Sequence, residues 1–185
     1  MTEKRVKPVT WNRPNSTIIT VTGAPGIGKT TLCKKVIEIL QNTKPEVSVG
    51  GFITNEIREK GKRTGFVMVD LITDNKEILA HISLKSSVKV GKYGVNLDGI
   101  RNLGVKAIVS GILFSDIVIV DEVGPMELRS REFEKSIYQL IDSDKSALLT
   151  IHRKSNHPLL KYLRQVYPPV EITFDNRGYV TNSDS

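Results

Sequence analysis

Gly23-Ala24-Pro25-Gly26-Ile27-Gly28-Lys29-Thr30 fits the pattern G-x-x-x-x-G-K-[ST] at every fixed position. At average residue frequencies such an octet arises by chance in about one chain in a hundred of this length. Its setting agrees with it. Residues 17–22 (TIITVT) in front form a β-branched run of buried-strand composition. Behind it, Leu32, Cys33, Val36, Ile37 and Leu40 recur at helical spacing over 29–41. Strand, glycine-rich turn and helix in that order make a phosphate loop. Glycines let successive backbone N–H groups converge on phosphate oxygens, and the helix N-terminus adds its positive dipole end. The Lys29 ammonium then reaches the β and γ phosphates, and the Thr30 hydroxyl offers a hard oxygen to Mg²⁺. The octet predicts a nucleoside-triphosphate site.

Working outward, strands and helices continue to alternate. Residues 47–55 read as a second strand, and the runs 64–72 and 77–83 flank the turn residues Asp74 and Asn75. They predict an antiparallel β-hairpin inserted at about 56–83 between parallel strands. A helix over 97–114 leads into a strand over 116–121 (DIVIVD). Ser130 caps a helix to residue 141, with Glu132 and Glu134 in its first turn favouring the dipole. A strand over 147–151, a short helix over 156–165 and, past Pro168-Pro169, a last strand over 170–174 follow. Nearly continuous apolar strands alternating with helices predict an α/β fold with a mainly parallel sheet and helices on both faces. Residues 17–178 are one domain; 1–16 read as a flexible basic arm and 179–185 as a polar tail.

A phosphate loop needs an acid at the end of a neighbouring strand to hold Mg²⁺ through water. Ile117-Val118-Ile119-Val120-Asp121 supplies it in the manner of a Walker B strand. Glu122 comes next, placed to take a proton from a water attacking the γ phosphate. Asp121-Glu122-Val123-Gly124 also fits the D-x-x-G of GTP switches, but the guanine reader N-K-x-D is missing; Asn42-Thr43-Lys44-Pro45 lacks the aspartate. An arginine commonly neutralises the remaining transition-state charge. Arg58, Arg63, Arg129, Arg131, Arg153 and Arg177 are candidates, and Arg153 leads because it follows a strand end at the expected ligand edge of the sheet. Thr150 or His152 can hydrogen-bond the γ phosphate or the water. Cys33 lies on the apolar helix face and reads as core.

Composition narrows the class. The chain has 185 residues, 39% hydrophobic and 25% charged, with a single cysteine. About 70% of the unfolded surface is buried at such a size. One cysteine makes neither an internal disulfide nor a cysteine-rich zinc site. The most apolar run, 107–114, is broken by Ser110 and Gly111, and the polar, basic start has no apolar signal core. A cytoplasmic protein without membrane association is expected, a monomer or weak homo-oligomer. The formal net charge is +7, with basic excess at 1–15 and 85–106. That charge admits nucleic acid as a partner, but no RNA- or DNA-binding module accompanies it.

Further stretches, in order, are Gly51-Phe52-Ile53-Thr54-Asn55-Glu56-Ile57-Arg58, Gly61-Lys62-Arg63-Thr64-Gly65-Phe66, Val90-Gly91-Lys92-Tyr93-Gly94-Val95, Asp121-Glu122-Val123-Gly124-Pro125-Met126-Glu127-Leu128, Ile151-His152-Arg153 and Asn176-Arg177. With the phosphate loop, this set resembles the small nucleoside-triphosphatases first described from thermophiles, related to the cancer-related nucleoside-triphosphatase of vertebrates. The resemblance implies a RecA-like P-loop NTPase core that hydrolyses ATP, GTP and other triphosphates to diphosphates with Mg²⁺ and loose base choice. It implies nucleotide contacts from Gly23, Ala24, Pro25, Gly26, Ile27, Gly28, Lys29, Thr30 and Thr31. It adds Val118, Ile119, Val120, Asp121, Glu122, Val123, Gly124 and Pro125 to the nucleotide site, and Asn176 and Arg177 near the nucleobase. Thr30 and Asp121 serve the metal; Lys29, Glu122 and Arg153 are the catalytic candidates. Two other readings compete: a nucleotide or nucleoside kinase passing the γ phosphate to an acceptor, and an NTP-gated nucleic-acid-binding regulator.

Overall fold

A computed structural model describes residues 16–178, so the expected tail and all but the last residue of the expected arm lie outside the described residues. The chain opens with β1 (Ile18–Gly23), which runs into the phosphate loop and then α1 (Lys29–Thr43). β2 (Val49–Glu59), β3 (Lys62–Asp70), β4 (Lys76–His81), β5 (Lys89–Val90) and β6 (Tyr93–Val95) follow. The expected 97–114 helix is there with a change of winding. α2 (Leu97–Gly99), capped by the Asn96 side chain, passes through a π-helical segment (Ile100–Val105) into α3 (Lys106–Phe114). β7 (Ile117–Val123), α4 (Arg131–Asp142), β8 (Ser146–Ile151), α5 (Pro158–Val166) and β9 (Val170–Ile172) complete the order. Ser130 caps α4 as its sequence predicts, its Oγ accepting the Phe133 N–H at 3.2 Å.

The nine strands of the described residues join one sheet in the order β5-β6-β4-β3-β2-β7-β8-β1-β9. From β2 through β7, β8 and β1 to β9 every pairing is parallel; from β2 outward through β3, β4 and β6 to β5 every pairing is antiparallel. β8 stands between β1 and β7, so the phosphate loop and the acid strand open on the same carboxyl-end edge with one strand between them.

The antiparallel part is larger than the expected hairpin. β2 extends to Glu59 and turns directly into β3 at Lys60 and Gly61, both with positive φ (47° and 77°). The Asp74 turn then joins β3 to β4, and β5 and β6 add a small ribbon reaching Val95. Sequence periodicity misses this ribbon because its strands are two and three residues long.

Both sheet faces are covered, unequally. α1 packs Leu32 and Cys33 over Val21, Ile53, Val69, Ile119, Leu148 and Ile172. The other face carries the larger core, where Ala107, Ile108, Phe133, Ile137, Leu140, Leu159 and Leu163 from α3, α4 and α5 meet Val118, Val120 and Leu149. Among the described residues no helix is long and apolar enough to cross a membrane.

Candidate active site

Gly26 and Gly28 hold positive φ (75° and 119°), and Gly28 is the N-cap residue of α1. L side chains disfavour that backbone, and it is what turns the loop back onto the helix N-terminus. Lys29 is buried, with Nζ 3.3 Å from the Gly23 carbonyl oxygen and 3.9 Å from Glu122 Oε2. The ammonium thus lies between the start of the loop and the end of the acid strand. Ile27 points into the core beneath α1, so its part in the loop is its backbone, while Thr31 is exposed on the first turn of the helix.

Asp121 is the hub. It is buried, and its carboxylate accepts hydrogen bonds from Thr30 Oγ1 at 2.6 Å, Thr150 Oγ1 at 2.8 Å and the Thr54 N–H at 3.4 Å. The Thr54 hydroxyl donates to the Asp121 carbonyl. Three strands and the first turn of α1 therefore fix one carboxylate. Thr54 and the Thr150–Asp121 link were not anticipated from the sequence, because both depend on strand register.

β7 runs past Asp121, so Glu122 is part of the strand, and the Asp121–Glu122 peptide is cis. Burial pushes the Glu122 carboxyl above its usual range, with Asp121 adding to the shift and Lys29 opposing it. Val118, Ile119 and Val120 correct the resemblance. Their side chains are fully buried within the two cores, so they set the height of Asp121 and do not face a ligand. Val123 is buried likewise, and its carbonyl accepts the His152 N–H at 3.1 Å.

A cleft of about 380 Å³ lies over these groups, lined by Gly23, Ala24, Pro25, Lys29, Glu122, His152, Arg153 and Lys154. His152 is fixed in it from several directions. Its Nδ1 accepts the N–H groups of Lys154 (3.3 Å) and Ser155 (3.1 Å), and Arg164 Nη1 donates to its carbonyl at 3.0 Å. An Nδ1 that accepts carries no proton, so the neutral ring is protonated at Nε2. Burial lowers the His152 pKa, and the cations Lys29 and Arg164 push it the same way. His157 has a structural task instead: its Nδ1 accepts the Leu159 N–H and caps α5.

Arg153 lines the cleft but pairs with Glu171 of β9 (Nε to Oε1, 3.0 Å). Arg58 and Arg63 both pair with Glu56 on the β2–β3 hairpin and do not join the cleft. Arg129 and Arg131 are exposed at the start of α4. Gly124 lies against Glu122, where a Cβ would come within 3.5 Å of Oε1, and Pro125 lines a neighbouring recess with Leu128, Arg129, Ser155 and His157. Asn176 and Arg177 follow β9. Asn176 is engaged in its own turn, and the Arg177 guanidinium lies 4.8 Å from the centre of the Phe174 ring.

Glu127 is a buried acid that the sequence does not mark out. Its carboxyl is buried, accepts the Gly124 N–H at 3.1 Å, and is pushed up to about 8 by burial, with Glu122 adding to the shift. Between pH 4.5 and 8 the folded chain keeps a proton that the unfolded chain has lost, so this group makes stability fall as pH rises through that window. The slope from one such proton is about 1.4 kcal/mol per pH unit. Glu127→Gln, which keeps the Gly124 acceptor, is expected to flatten the pH dependence of the unfolding free energy, read from urea titrations, by that amount between pH 5 and 8. A variant with the wild-type slope would remove Glu127 as its source.

Thr30 and Asp121 present hard oxygens, suited to a small divalent cation that keeps phosphate oxygens and waters as its other ligands. Among the described residues no group of three or more His, Cys, Asp or Glu side chains could form a cage of protein ligands alone.

Comparison with known proteins agrees with this geometry. The family model NTPase_1, described as NTPase, matches residues 18–183. The nucleoside-triphosphatase THEP1 of Archaeoglobus fulgidus is 44% identical over 162 residues, covering 88% of this chain and 93% of that one. That of Methanocaldococcus jannaschii is 46% identical over 135 residues, covering 73% and 78%. The crystal structure of THEP1 from the hyperthermophile Aquifex aeolicus superposes with a TM-score of 0.77 at 32% identity, over 89% of this chain and 95% of that one. The solution structure of a human cancer-related nucleoside triphosphatase gives 0.71 at 28% identity, over 90% and 94%. With a phosphate loop, an acid strand separated from it by one strand of the sheet, and a family match over nearly all of its length, this chain belongs to the NTPase family.

Proposed function

We propose that the chain hydrolyses the terminal anhydride of nucleoside triphosphates, in a Mg²⁺-dependent reaction with loose base choice, to a nucleoside diphosphate and inorganic phosphate. The observation that carries this reading is the convergence of Lys29, Asp121 and Glu122: Lys29 Nζ is 3.9 Å from Glu122 Oε2, with Thr30 Oγ1 2.6 Å from Asp121 Oδ2 beside them. Its relatives of 44% and 46% identity, both nucleoside-triphosphatases, support it. Loop N–H groups and Lys29 bind the β and γ phosphates, and this draws the ammonium away from Glu122. Glu122 then orients a water in line with the γ phosphorus. As the water oxygen bonds to phosphorus and the bond to the β–γ bridging oxygen breaks, Glu122 takes the water's proton. Its raised affinity for protons suits it to that step near neutral pH. His152, neutral and protonated at Nε2, donates to a phosphate oxygen from the cleft wall. Thr30 and Asp121 would hold Mg²⁺, which when bound offsets the charge on the β and γ phosphates. Arg153 is the candidate for the remaining positive charge, and reaching a phosphate requires it to leave Glu171.

Phosphate release from ATP, GTP, CTP and UTP tests this, with and without a chelator and with and without a panel of nucleosides as acceptors. Release from all four without an acceptor, lost on chelation, is the expected result. Release that begins only when an acceptor is added would overturn hydrolysis and make the chain a kinase.

A further inference from the structure

We infer that Phe174 is the platform on which the nucleobase stacks, and that this ring gives the site its indifference to base identity; the inference rests on the triphosphatase reading above. Phe174 is 72% exposed, a large apolar ring held in water just beyond β9. Its place is set by the sheet. Ile172 pairs with Gly23, the first residue of the phosphate loop, and a Cβ on Gly23 would come within 2.8 Å of the Ile172 carbonyl oxygen. The turn carrying Phe174 therefore leaves the sheet two residues beyond the partner of the loop's first residue. Asp121 and Glu122 lie on the opposite side of β1, on β7 beyond β8. A triphosphate whose terminal phosphate sits between Lys29 and Glu122 carries its nucleoside away from them, toward the β9 side.

The ring is prepared for a flat ligand. The Arg177 guanidinium covers one of its faces at 4.8 Å and leaves the other for stacking. The turn is held by Asn176, whose Oδ1 accepts the Thr173 N–H at 2.8 Å and whose Nδ2 donates to the Glu171 carbonyl at 2.8 Å. Both amide atoms of Asn176 thus serve the shape of the turn that presents the ring. Every base has a π face, so stacking binds purines and pyrimidines alike, whereas edge hydrogen bonds would separate them.

The test measures binding by calorimetry on the full chain, in Mg²⁺, for ADP, GDP, CDP and UDP and for inorganic tripolyphosphate, which has no base. Phe174→Ala is expected to weaken all four nucleotides by about tenfold to a hundredfold while tripolyphosphate binds as to the wild type; Phe174→Trp is expected to restore the nucleotides. Unchanged nucleotide binding in the alanine variant would overturn the proposal. So would an equal loss for tripolyphosphate, which would mark a disturbed loop, or a loss confined to one base, which would mark an edge reader. A wild-type chain that binds neither tripolyphosphate nor nucleotides would instead overturn the triphosphatase reading itself.

Discussion

Glu122→Gln is expected to lower the turnover number by about 10²–10⁴-fold while nucleotide affinity holds or tightens. The amide has the shape of the carboxylate and still hydrogen-bonds a water, but it does not take the proton. Affinity moves the other way. In the free protein Glu122 is an anion 3.9 Å from the Lys29 ammonium, at the place where a γ phosphate must come. Removing that anion frees Lys29 and removes a like charge from the path of the phosphates. The two effects separate in single-turnover hydrolysis and equilibrium binding, since only the interaction made in the transition state is lost. Unchanged single-turnover rates would exclude Glu122 as the base. The wild-type pH profile supplies a second reading. The base works deprotonated, so activity rises with pH through the Glu122 pKa, and burial places that limb above the ordinary carboxylate range. The glutamine variant lacks this limb.

What was legible in the sequence is what contiguous residues generate by themselves. The phosphate loop is one such feature, because its glycines and its helix start make the backbone that its lysine serves. The acid strand is another, since four apolar residues before Asp121 both bury β7 and bring the carboxylate to its end. The partners of Asp121 are a different matter. Thr30, Thr54 and Thr150 lie 91, 67 and 29 residues from it, and only the pairing of β1, β2, β7 and β8 brings them together. Glu127 reads in sequence as an ordinary acid near a helix start, and its burial comes from packing that no local pattern encodes. Arg153 stands where its strand end predicts, but Glu171 reaches it from a strand with no sequence link to it. The extension of β2 and the start of β3 stayed hidden for the opposite reason. Residues 56–63 hold Glu56, Arg58, Glu59, Lys60, Lys62 and Arg63, which hide the alternation of a strand exposed on both faces.

Asp121 carries two roles that different substitutions separate. Asp121→Ala removes the acceptor for the Thr30 and Thr150 hydroxyls and the Thr54 N–H in a buried place. Buried donors left without an acceptor cost about 1–3 kcal/mol each. Hydroxyl rotation relieves part of this, leaving an expected loss of about 2–4 kcal/mol, or a melting temperature lower by roughly 5–15 °C. Asp121→Asn keeps the shape and one acceptor oxygen. A threonine hydroxyl can turn to accept from the new amide, so this variant is expected to melt close to the wild type. What it loses is charge. Thr30 then offers Mg²⁺ only a neutral partner, and hydrolysis is expected to fall by at least about a hundredfold with a higher Mg²⁺ requirement. Calorimetric melting with ADP, in the presence and absence of Mg²⁺, reads the metal role without turnover. A ligand that binds only the folded chain raises its melting temperature, so the wild type should gain a Mg²⁺-dependent increment that Asp121→Asn lacks. An equal increment in the two proteins would remove Asp121 from the metal site. An alanine variant as stable as the asparagine one would show instead that the three threonines find other acceptors, and that the carboxylate is there for the metal alone.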